Sequence, residues 1–166
     1  MQAEEVIERL GLTPHPEGGF FRETYRADEA IDAGALPDRY GGPRAAGTAI
    51  YFLLTADAFS AFHRIASDEI FHWYAGDPAR LLQIRPDGGL EPRMLGANLL
   101  LGELPQAVVP RGTWQALEVV EGGAWTLLGT TVAPGFDFAD FEIADRGALL
   151  EAHPDHAETI HRLTRA

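Results

Sequence analysis

The stretch SAFHRIASDEIFHWYAGD, residues 60–77, carries His63, Glu69 and His72, with Asp68 and the aromatic pair Trp73–Tyr74 beside them. Imidazole and carboxylate at such spacing serve a metal site, an acid/base dyad or a buried ion pair. Strand alternation sorts the side chains. His63 shares a face with Phe59, Ala61 and Ile65, while Ser60, Phe62 and Arg64 take the other. ASD (66–68) breaks the run. Beyond it, Glu69, Phe71 and Trp73 form one face, and Asp68, Ile70, His72 and Tyr74 form the other. His63 and Glu69 can therefore look into one pocket if the turn sets their strands side by side. Glu69 and His72 cannot, unless a bulge intervenes. Taken alone, the stretch reads most simply as a hydrogen-bonded core histidine and a surface glutamate.

The elements around it decide whether a pocket exists. AEEVIERL (3–10) has helical spacing and Gly11 as its stop. TPHPEGG (13–19) is turn chemistry, and FFRETYRAD (20–28) reads as a strand. Residues 29–47 form a long Gly/Pro-punctuated loop, suited to a lid or an oligomer contact. From Thr48 onward short apolar segments follow one another, each bounded by Gly, Pro, Asp or Ser. PDGG (86–89) and EGG (121–123) look like hairpin turns between them. Helical spacing returns only after Ala144, with Pro154 near the start of a last helix. Many short strands without intervening helices predict an all-β sandwich or barrel with short helices at the N- and C-termini. The 166 residues suit one domain, 1–166.

Composition narrows the chemistry. The chain has no cysteine, which removes disulfides, thiolate ligands and a thiol nucleophile. Its net charge of −12 and scattered basic residues argue against nucleic acid. No apolar run approaches a membrane span, and MQAEEVIERLG lacks the basic start and apolar stretch of a signal segment. The expectation is a cytoplasmic protein without a membrane partner.

A second segment bears on the first. PRGTWQ (110–115) is a proline turn, a glycine and then a strand. Together the two stretches resemble the two signatures of the cupin superfamily. In the first signature, His63, Glu69 and Gly76 keep the family spacing, and the second histidine position falls on Ile65. In the second, Pro110 and Gly112 are kept and Gln115 replaces the closing histidine. HPEGGFFRETYR, FHRIASDEIFHWYAGDP, VVPRGTWQA and VAPGFDFADFEIA, spread from His15 to Ala144, resemble the fifth cupin family of small uncharacterised cupins. The resemblance implies a double-stranded β-helix (jelly roll) similar to nucleotide-sugar epimerases, and a homodimer.

A complete cupin metal site uses three histidines and a glutamate. Here two imidazoles are missing, Ile65 cannot ligate and the Gln115 amide is a weak ligand, so neither a tightly held metal nor another cofactor is expected. The pocket must then work by proton transfer or polar recognition. His63 is the candidate base, Glu69 its charge partner, and Tyr74 or Tyr51 a phenolic acid. Arg22, Glu23, Tyr51, His72 and Gln115 are candidate substrate-binding residues, Arg22 as an anchor for an anionic group. His15 reads as a turn residue, and His153, His156 and His161 as solvated. The leading expectation is a metal-independent isomerase, epimerase or lyase acting on a small polar sugar- or nucleotide-like metabolite. The alternatives are a cupin that binds such a metabolite unchanged, and a metal enzyme completed by His63, Glu69, His72 and Gln115.

Overall fold

A computed structural model describes residues 1–165, and its strands form two facing antiparallel sheets. The larger has the order β1 (Thr13–Pro14), β2 (Phe20–Arg26), β5 (Thr48–Thr55), β12 (Trp125–Ala133), β7 (Asp68–Gly76), β10 (Gln106–Val109). The smaller has β13 (Glu142–Ile143), β6 (Phe59–Arg64), β11 (Trp114–Val119), β8 (Ala79–Ile84), β9 (Leu90–Leu95). From β5 to β13 every connection except β8–β9 crosses between the sheets, as in a jelly roll, so EGG (121–123) joins β11 to β12 across the sandwich rather than as the expected hairpin. The 29–47 segment is not wholly loop. It contains a small ladder of β3 (Ala30–Ile31) and β4 (Arg44–Ala45) and a turn over Asp38–Tyr40.

Leu54, Leu81, Leu95, Leu117 and Leu128 are fully or almost fully buried between the sheets and fill part of the sandwich. The termini cover the outer faces. Helix α1 (Ala3–Leu10) ends at Gly11 in the left-handed conformation and packs Val6 against Leu53 behind the larger sheet. At the other end α2 (Arg146–Ala152) and α3 (Ala157–Arg162) lie behind the smaller sheet. There Phe62 meets Leu149, Ile160 and Leu163. Pro154 sits in the single turn that joins these helices, and His156 is not free: its Nε2 lies 2.8 Å from the Gly88 carbonyl. Phe62 is fully buried, so Phe62→Ala is expected to cost about 3–5 kcal/mol. Urea unfolding read by the midpoint checks this; a loss near zero would mean the C-terminal helices are not docked through this ring.

One irregularity of β6 changes what faces inward. Gln115 of β11 pairs with His63, but Leu117 pairs with Ser60, so three residues of β6 span two of β11. This bulge resets the alternation and puts Ser60 on the same side as His63. The expectation that Ser60 points away from His63 is corrected accordingly. A second bulge, in β7, sets Ala75 and Trp73 opposite the consecutive Leu127 and Leu128, with Tyr74 as the extra residue.

Candidate functional site

His63 and Glu69 approach each other differently from the side-by-side expectation. β6 and β7 belong to different sheets, so the two side chains face each other across the sandwich. Both are buried and line one cavity of about 230 Å³. The cavity also receives His15 and Glu17 from the loop between β1 and β2. Their loop lies flat on the sheets. Ala61 N–H donates to the Glu17 carbonyl at 2.9 Å, and Gly18 N–H to the His15 carbonyl at 3.0 Å. Gly18 and Gly19 have φ of 114° and 74°. A Cβ on Gly18 would collide with the Phe59 carbonyl, and one on Gly19 would stand 2.6 Å from the Leu53 carbonyl. Only glycine meets both the left-handed backbone and the close approach, and this pair drives Glu17 inward.

Glu17 joins a continuous hydrogen-bonded chain. Ser60 Oγ donates to Glu17 Oε1 at 2.8 Å, Glu17 Oε2 lies 3.2 Å from His63 Nε2, and His63 Nδ1 lies 2.8 Å from the Ala61 carbonyl. The Ala61 carbonyl only accepts, so Nδ1 carries the ring proton and Nε2 presents its lone pair. Burial raises the Glu17 pKa to about 8 against the opposing Ser60 hydrogen bond. Burial lowers that of His63, against the opposing charge of Glu69 and the Ala61 hydrogen bond. The resting pair is therefore a carboxylic acid donating to a neutral imidazole.

Glu69 completes the floor. Its pKa is raised by burial, opposed by His63 and raised further by Glu17. Gln115 Nε2 donates to Glu69 Oε2 at 2.6 Å, and the Thr130 hydroxyl also hydrogen-bonds it. His15 is lowered to about 4 by burial and then by His63. Its Nδ1 accepts the Glu17 backbone N–H at 3.2 Å, so the 3.6 Å approach to Glu17 Oε2 is not an ion pair.

The walls are apolar. Six of the nine phenylalanines line the cavity: Phe21, Phe52, Phe71, Phe136, Phe138 and Phe141. The Phe141 ring lies 5.4 Å from the His63 ring. At the rim Arg26 makes a two-pronged pair with Glu23, at 2.9 and 2.8 Å, and donates to the Phe136 carbonyl.

Of the sequence-derived candidates, the structure brings His63, Glu69 and Glu23 to the cavity and sets Gln115 behind Glu69. It does not bring Arg22, Tyr51, His72 and Tyr74 there. These four gather on the outer face of the larger sheet. Arg22 lies over the Tyr51 ring at 5.7 Å, Tyr51 meets Tyr74 edge-on at 6.0 Å, and Tyr74 stacks on His72 at 6.4 Å. His72 Nε2 pairs with Thr131 Oγ1 at 3.0 Å. The phenolic acid expected of Tyr74 or Tyr51 thus has no access to His63; Glu17 is the acid that stands beside it. The signal for Glu17 was the PEGG sequence, a carboxylate before two glycines.

A cupin-type metal does not fit this donor set. Ile65 forms cavity wall, His72 points to the opposite face, and Gln115 turns its amide nitrogen rather than its ligating oxygen toward Glu69. His63 Nε2 already faces Glu17. Among the described residues no three His, Cys, Asp or Glu side chains are grouped as a ligand set. Among the same residues, no helix is long and apolar enough to cross a membrane.

Residues 4–144 match the family described as Cupin superfamily (DUF985). The chain is 35% identical to a hypothetical protein from Leishmania major, with a TM-score of 0.91 and full coverage of both chains. It is 30% identical over 146 residues to the uncharacterised protein YML079W of Saccharomyces cerevisiae, covering 82% of this chain and 72% of that one. Oxalate decarboxylase of Bacillus subtilis shares the fold at a TM-score of 0.53 and 16% identity, over 90% of this chain and 36% of that one. With this match and the two-sheet jelly roll, the chain belongs to the cupin superfamily, in the family described as DUF985.

Proposed function

We propose that the cavity carries out metal-independent proton transfer on a small carbonyl compound, as an isomerase, epimerase or lyase. The observation that carries this reading is the Glu17–His63 pair, an acid and a base 3.2 Å apart on an otherwise apolar-walled cavity floor. Substrate displaces the contact between the two groups: Glu17 turns its proton from Nε2 to the carbonyl oxygen, and the freed Nε2 lone pair takes a proton from the carbon next to the carbonyl. The products are an enol, an imidazolium and a carboxylate. The new ion pair is net neutral, so no uncompensated charge is buried. Glu69 lies close enough to stabilise the imidazolium. Return of the protons to different positions gives the isomer. The phenylalanine walls suit a flat, weakly polar body better than a hydroxyl-rich free sugar.

The reading is tested without knowing the net reaction. Carbonyl metabolites are incubated with the protein in heavy water, and deuterium uptake at carbon is followed by mass spectrometry. A compound that gains deuterium with the wild type should lose that exchange by about a hundredfold or more in His63→Asn and in Glu17→Gln. Compounds that raise the melting temperature yet gain no deuterium would instead support the second reading, a cupin that binds its metabolite unchanged.

A further inference from the structure

We infer that the substrate of this site carries a phosphate, held in a basic groove that shares a wall with the cavity; the inference rests on the proton-transfer reading above. The groove, about 340 Å³, is lined by Arg39, Arg64 and Arg111 together with Ile65, Ala66, Gly112, Asp140 and Glu142. Ile65 also lines the cavity, and Phe141, between the two acids of the groove, is a cavity wall residue. The groove and the cavity therefore lie at the same end of the sandwich, where β6 ends and β7 and β11 begin.

The charges of the groove do not cancel. Glu142 is taken by Arg64, whose Nε donates to it at 2.7 Å, and Asp140 by Arg44, a residue outside the groove, at 2.5 Å. Asp68, next to the groove, accepts the backbone N–H of Arg111 at 2.8 Å. Arg39 and Arg111 are left with no carboxylate within ion-pair distance among the described residues. Arg39 is nonetheless fixed: its Nε donates to the Ala66 carbonyl at 2.9 Å and its plane lies 4.7 Å from the Tyr40 ring. Arg64 is stacked 4.3 Å from the Trp114 ring. In a chain of net charge −12 most surface repels anions, and a pocket with two unmatched guanidiniums stands out as their seat. Guanidinium forks match phosphate oxygens, and the room exceeds what a carboxylate alone needs. A flat carbonyl body in the cavity with a phosphate in the groove would reach both sides of Ile65.

Inorganic phosphate is the probe, titrated into the full chain at low salt by calorimetry, with the Ile65 methyl resonances followed by NMR and acetate run in parallel. The expected result is saturable phosphate binding that shifts Ile65, is weakened about tenfold or more in Arg111→Ala and is largely kept in Arg111→Lys. His63→Asn should bind phosphate as the wild type does, so loss of proton-transfer chemistry and loss of the anion site are read separately. Circular dichroism of each variant confirms folding. No saturable binding, equal affinity in Arg111→Ala, or acetate bound as tightly as phosphate would each overturn the assignment.

Discussion

Glu17→Gln is expected to be more stable than the wild type in alkaline solution, although it removes a buried charged-type residue. In the folded protein Glu17 keeps its proton to a pKa of about 8, against an ordinary 4.5. A raised folded pKa gives stability that is complete below the unfolded value and is lost as pH rises through the folded one. The window is pH 4.5 to 8, and the loss is about 5 kcal/mol if the whole shift is realised. Glutamine keeps the same hydrogen-bond polarity as the protonated acid. Its carbonyl accepts from Ser60 and its amide donates to His63 Nε2. The variant should therefore match the wild type near pH 4.5 and outlast it above pH 8. His15 acts with the opposite sign. Its folded pKa is depressed to about 4, so its contribution is present above 6.5 and is lost as pH falls through 4; both proteins should show that acid-side loss. Urea unfolding at pH 4.5, 6.5 and 9 reads the difference. Parallel stability curves for the two proteins would mean that Glu17 is not a buried neutral acid.

Arg44→Met should cost about 3–5 kcal/mol, with the damage concentrated at the cavity wall. The side chains of Arg44 and Asp140 are both buried, and the pair joins the 38–43 turn to the segment that bears Phe138 and Phe141. Arg44 also donates to the Pro43 carbonyl at 2.8 Å and to the Tyr40 carbonyl. Removing the guanidinium leaves Asp140 buried without its counter-charge, which costs more than the pair contributes. The double variant Arg44→Met/Asp140→Leu should recover a large part of the loss. Unfolding midpoints of the two variants check this, with fluorine-labelled phenylalanine reporting on Phe138 and Phe141. A single variant as stable as the wild type, or a double variant no better than the single, would show that the pair does not hold this segment.

Much of the architecture could be read from residue order. The spacing of AEEVIERL ahead of Gly11 matches α1, and the Gly- and Pro-bounded apolar segments match the strands, because local turn chemistry and apolar periodicity act within a few residues. Inward-facing Glu69, Phe71 and Trp73 also follow from alternation along β7. Alternation likewise set His72 and Tyr74 together on the far side, and the candidate role for Tyr74 ran against that parity.

What the amino-acid order determined by itself was the eight longer strands from Thr48 to Ala133 and β2, their inward residues wherever the pleat is regular, and membership in a jelly-roll family with an incomplete metal signature. Only the tertiary structure decided the rest. The bulge in β6 that turns Ser60 inward, the placement of β6 and β7 in opposite sheets, and the delivery of Glu17 between His63 and Ser60 all depend on contacts between segments distant in sequence. The pairing of Glu17 with Ser60 spans 43 positions, and that of Gln115 with Glu69 spans 46. No local period encodes such meetings, since they follow from how the sheets close on each other.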